Sequence, residues 1–130
     1  MGAFDTLRIA ASGLGMHQTW LDAVAHNLAN TSTMRATSEN AFQAQMLVVG
    51  ADPAGGVEVT GLAYGDAQGE VVLDPDHPLA DEDGYVRAPA MDQAAQMSQL
   101  IMAQRGFQAS AQVTKFAQDT YGTAIQIGNR

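Results

Sequence analysis

Apolar residues recur along this chain with two different periods, and the change of period divides it into three segments. From about residue 3 to residue 30 the period is helical. Leu7, Leu14, Leu21 and Leu28 stand seven apart, and Phe4, Ala11, Gln18 and Ala25 fill the paired positions of the same heptad. At ~1.5 Å per residue this predicts a helix roughly 40 Å long, stopped at Asn30 by the run Thr31-Ser32-Thr33.

From about residue 90 to residue 127 the helical period returns. Leu100, Phe107, Thr114 and Tyr121 are seven apart, with Ala103, Ser110, Ala117 and Ala124 one turn away. Met97, Ile101, Val113 and Phe116 fall on other faces, and the polar positions are mostly glutamine. Between the helices the pattern shortens to β-type runs at 46–49, 57–60, 70–73 and 84–87, punctuated by glycine. Pro53, Pro75, Pro78 and Pro89 all lie in this middle stretch, so only the two ends are free to form long helices. The expected fold is mainly α with a small β-rich insert: two long terminal helices packed as a coiled-coil-like hairpin within a tubular helical assembly. The segments are 1–34, 35–89 and 90–130 of one subunit.

Charge follows the same division. The net charge of −8 resides in the middle segment, where ten acids stand against Arg35 and Arg87; residues 1–34 carry −1 and residues 90–130 carry +1. An acidic chain without clustered Lys and Arg excludes nucleic acid as a partner. With no run of ~18 apolar residues, direct membrane insertion is not expected either. There is no cysteine, which excludes disulfides and thiolate metal sites. Met1-Gly2-Ala3-Phe4-Asp5 has no basic region before an apolar run, so export would proceed without a cleaved signal peptide.

No catalytic pattern emerges, and no cofactor is expected. His17 and His26 are nine apart and face different sides of a helix; with His77 they form no ligand spacing. Asp74, Asp76, Asp81, Glu82 and Asp83 lie among Pro75, Pro78 and Gly84, a setting in which acids cap turns and face solvent rather than hold a cation. Trp20 suits either an interface anchor or packing on the insert.

Two apolar-striped helices usually form a monomer's own core. Here, however, the 75 terminal residues carry only eight charges, whereas wet helix faces are normally rich in Lys and Glu. Small residues recur on several faces, and Gly13, Gly15 and Gly106 sit inside the helices, where each costs roughly 1 kcal/mol relative to Ala. Close packing against other copies would offset that cost. The expected function is therefore structural, with a different class of function as the alternative: a small soluble protein-binding module, an acidic β insert on a helical hairpin.

The stretch from Ala11 to Thr31, with its Leu21-Asp22 pair and Asn27-Leu28-Ala29-Asn30, resembles the N-terminal signature of flagellar rod and hook proteins. Arg105-Gly106-Phe107-Gln108-Ala109 is similar to their Arg-x-aromatic-x-Ala element, and Ala124-Ile125-Gln126-Ile127-Gly128 to their usual ending. His77-Pro78-Leu79-Ala80-Asp81 followed by Gly84-Tyr85-Val86 resembles the proximal-rod C type. The resemblance implies an axial subunit of the basal-body rod that crosses the periplasm, exported by the flagellar type III apparatus and helping to transmit motor torque. It implies other rod proteins, the rod-base adapter and the MS-ring protein as partners. It also places Leu7, Leu14, Leu21, Asn27, Leu28, Asn30, Leu100, Phe107 and Tyr121 at subunit interfaces.

Overall fold

The structure, a computed structural model, describes residues 2–128. Two helices, α1 (Ala3–Ala29) and α2 (Gln93–Gly128), enclose four strands in sequence: β1 (Gln45–Ala51), β2 (Val57–Tyr64), β3 (Glu70–Leu73) and β4 (Tyr85–Ala88). The helix–insert–helix order and all four β runs are those the sequence predicts.

The helix ends are made by side chains. At the start of α1 the Asp5 carboxylate accepts the Gly2 N–H (2.9 Å) and pairs with Arg8 (3.4 Å). These two partners, the Gly2 N–H first, hold the Asp5 carboxyl below its usual range. At the other end the Asn30 side-chain amide donates to the His26 carbonyl (2.9 Å), satisfying an orphan of the last turn. Asn30 is thus the stop that was expected. The start of α2 is corrected from about residue 90 to Gln93: Asp92 is its cap, accepting the Ala94 N–H at 2.9 Å.

The chain forms two compact units, each drawing on all three segments. Unit 1 comprises residues 1–21, 47–61 and 101–130; unit 2 comprises residues 22–46 and 62–100. In unit 1 the two helices run antiparallel: Phe4 meets Tyr121 with ring centroids 4.9 Å apart, and further along α1 the His17 ring bonds Ser110 (3.1 Å). The tip of the β1–β2 ribbon is fastened to α1. Arg8 donates to the carbonyls of Ala54 and Gly55, and the Ser12 hydroxyl accepts the Val57 N–H (3.1 Å). Gly56 has a φ of 99°, and a Cβ there would lie 2.3 Å from the Ser12 oxygen, so only glycine fits the turn.

In unit 2, β3 and β4 pair antiparallel with Val72 opposite Val86, and Arg35 extends β4 through an isolated bridge to Arg87. The Arg87 guanidinium closes the adjoining loops by donating to the carbonyls of Thr37 (2.7 Å) and Gln68. All the net charge lies in this unit. Unit 1 holds four acids and four bases; unit 2 holds ten acids against Arg35 and Arg87, a net −8.

The buried hydrophobic set is small. Among the described residues it consists of five alanines with Val24 and Val86, so no apolar side chain larger than valine is fully buried. Large apolar residues sit half-buried or exposed instead.

Candidate assembly interface

Seven-residue spacing gives each leucine row of α1 two neighbouring rows, three positions before and three positions after. The sequence reading chose the row before, Phe4, Ala11, Gln18 and Ala25. All four are exposed in the single chain, although Phe4 touches Tyr121, and the row after is the more buried, with Ala10 and Val24 buried and His17 half-buried. Leu7, Leu14, Leu21 and Leu28 lie between the two rows, each half-buried.

On α2 both expected rows are at least half-buried except at the far end, where Ala124 is exposed. Leu100, Phe107, Thr114 and Tyr121 are half-buried, beside Ala103, which is fully buried. The second row continues one heptad earlier than was read, to Gln96, which is 9% exposed.

Gln96 belongs to a buried polar cluster centred on Asn27. The Asn27 amide nitrogen donates to the Gln96 side-chain carbonyl (3.0 Å) and to the Gln45 main-chain carbonyl (2.9 Å), while its oxygen accepts the Gln45 N–H (2.8 Å). Asn27 is 1% exposed, so within the chain it binds α1 to α2 and to the start of β1. His17, read from sequence as an ordinary polar position, also faces α2. Its Nδ1 lies 2.8 Å from the Gly13 carbonyl, which requires the proton on that nitrogen, and 3.1 Å from the Ser110 hydroxyl. Heptad position marks both residues in the sequence: His17 stands three after Leu14, and Gln96 seven before Ala103.

Several large apolar side chains of the unit 1 helices stay exposed. Met102, Val113, Phe116, Ile125 and Ile127 of α2 are exposed, Phe116 at 75%, as is Phe4 of α1. Beside Phe116 an open groove of about 260 Å³ is lined by Thr6, Val113, Ala117, Thr120 and Tyr121. Such a stripe on a unit of zero net charge is suited to packing against further helices. The described helices include none long and apolar enough to cross a membrane.

The acidic loop between β3 and β4 is organised by Asp81. Its carboxylate accepts the N–H groups of Tyr85 (2.8 Å) and Asp83 (3.1 Å) and the Thr37 hydroxyl (2.9 Å). Asp81 is therefore a turn cap, as the sequence suggested. Among the described residues no group of three or more histidines and carboxylates is placed to hold a metal ion.

Comparison with known proteins decides what this architecture belongs to. The family described as "Flagellar basal body rod FlgEFG protein C-terminal" matches residues 82–127, from the approach to β4 through nearly all of α2. The flagellar basal-body rod protein FlgC of Salmonella typhimurium is 31% identical over 133 positions, which span 98% of this chain and 99% of that protein. FlgC of Yersinia enterocolitica is 33% identical with the same coverage, and FlgC of Bacillus subtilis 28% identical, again spanning 98% and 99%. The chain belongs to the flagellar basal-body rod protein FlgC family. As a FlgC-family protein it is a structural subunit of the rod, located in the flagellar basal body. The binding-module alternative gives way to this assignment. Within the FlgC family frame, Asn27-Leu28-Ala29-Asn30 marks the end of α1, where Asn27 closes the polar cluster and Asn30 caps the helix.

Proposed function

We propose that this subunit builds the proximal part of the rod by laying the exposed faces of its terminal helices against those of neighbouring rod subunits. The observation that carries the reading is the apolar stripe of unit 1 around Phe116, 75% exposed on a helix whose other side already packs on α1. A small alanine-rich core supports it, since most of the chain's large apolar side chains await a partner. On this reading the half-buried Leu7, Leu14, Leu21, Leu28, Leu100, Phe107 and Tyr121 are completed by neighbours, and rigid helix packing helps carry motor torque towards the hook. Kinship with FlgC proteins supports further neighbours, namely the rod-base adapter and the MS-ring protein, together with passage through the flagellar type III export apparatus and a place in the periplasm-crossing rod.

The test is Phe116→Asp. An exposed substitution leaves the free subunit's unfolding midpoint within the ~0.5 kcal/mol typical of surface changes. Basal bodies isolated from the variant strain should lack rods, because a charge in the assembled bundle would be buried without a partner. Normal rods and normal motility would exclude this face from the interface.

A further inference from the structure

The β3–β4 ribbon has two unlike faces. Residues directly opposite in an antiparallel pair share a face, so Val72 and Val86 point one way, and Val71, Leu73, Tyr85 and Arg87 the other. Val86 is completely buried, which makes the Val72–Val86 side the inner face. The outer face should be polar if it merely met water. Instead Val71 is 57% exposed, Leu73 60% and Tyr85 39%, and Leu79 of the adjoining loop is 45% exposed.

Exposed carboxylates lie in the loop at one end of this ribbon. Asp76, Glu82 and Asp83 lie in the loop that joins β3 to β4, whereas Glu70, opposite Ala88, belongs to the inner face. Asp81 is committed to the Thr37 hydroxyl and the N–H groups of Asp83 and Tyr85, and it uses no side chain of these three carboxylates. The unit that bears them has a net charge of −8, and Arg87 is already held by main-chain carbonyls.

We propose that the outer face of the β3–β4 ribbon docks a segment of a different protein, one that presents apolar side chains flanked by lysine or arginine. An apolar centre with a charged rim is the usual anatomy of a specific protein interface, and the sign of the rim selects the partner. A second copy of this chain is a poor occupant: its unit 1 is electrically neutral and its unit 2 would repel. The inference rests on the rod reading above and deepens it by giving the chemistry of one neighbour. It separates two surfaces, a neutral helical one for axial packing and an acidic one for a basic partner.

The experiment uses the full chain in assembled basal bodies. A photo-reactive phenylalanine analogue replaces Leu73, basal bodies are purified and irradiated, and the cross-linked peptide is sequenced by mass spectrometry. The expected product joins position 73 to another protein, at a peptide with Lys or Arg beside its apolar residues. In a second strain the analogue replaces Leu79 and Val71→Glu is added. Val71 is exposed, so the subunit should fold and be exported, and the cross-link should fall at least tenfold. Attachment to another copy of this chain, to a peptide without basic residues, or to nothing overturns the proposal while leaving the rod reading intact. Absence of the labelled chain from basal bodies instead defeats the rod reading, and the proposal with it.

Discussion

The imidazole of His17 lies where a side chain at Gly106 would have to be. A Cβ built on Gly106 would come within 2.2 Å of His17 Nε2, a separation no real pair adopts. The ring cannot simply swing away, because its Nδ1 is fixed between the Gly13 carbonyl and the Ser110 hydroxyl. Glycine is therefore required in the middle of α2 by the chain's own packing, and His17 is the knob that fills the space.

Gly106→Ala should accordingly destabilise the free subunit. Helix propensity favours alanine by about 1 kcal/mol, but overpacking a fixed ring costs about 1–3 kcal/mol, so the net effect is a loss of about 1 kcal/mol in urea unfolding. Adding His17→Ala should recover part of that loss, because the clash is removed. A double-mutant cycle with no coupling between the two sites would show that the ring does not occupy this space.

Gly15 presents the opposite case. It is exposed, and a Cβ there would meet nothing within 4 Å. Gly15→Ala should stabilise the isolated subunit by about 0.5–1 kcal/mol. If the glycine serves close approach by a neighbour, the same variant should yield fewer assembled rods. Higher thermal stability together with unchanged rod yield would show that nothing packs at this position.

Asn27→Leu tests the polar cluster. The substitution leaves the Gln45 N–H and the Gln96 carbonyl without their partner, and each buried group so orphaned costs about 1–3 kcal/mol. The full chain should lose at least 2 kcal/mol. Adding Gln96→Leu should restore the helix-to-helix part but not the contact to β1, so recovery should be partial. Full recovery would mean that the Gln45 contact contributes nothing.

Asp81 gives a pH dependence. Bonds from the Tyr85 N–H first, then from the Thr37 hydroxyl and the N–H groups of Asp83 and Gly84, hold its carboxyl below the usual range. A folded-state value depressed below the unfolded one contributes stability that is fully present above ~3.9 and is lost as pH falls through the folded value. Amide exchange at Tyr85, followed on acidification, should therefore accelerate below about pH 4. In Asp81→Asn that acid limb should vanish, whereas Glu82→Asn with Asp83→Asn should keep it. An unaltered profile in Asp81→Asn would assign the transition to another group.

How much of this was legible beforehand can be judged from particular residues. Chain-local chemistry was readable: the leucine heptads gave two helices, the four prolines excluded a third, Asn30 stopped α1, and the valine runs became strands. These features depend on neighbours a few positions away, which the sequence displays directly. The motifs around Asn27 and Arg105 also pointed to the rod family. Which side of the leucine row faces α2 was not readable, because rows three before and three after a heptad leucine are equivalent until a second helix is in place. Within the single chain, tertiary structure buries Ala10 and Val24 and leaves Phe4, Ala11, Gln18 and Ala25 exposed. It also joined Asn27 to Gln96 across 69 positions and set His17 against Gly106. Finally, it gathered the whole net charge into one of two units, each assembled from distant segments. Such pairings depend on steric fit and hydrogen-bond satisfaction between parts of the chain that meet only once it has folded.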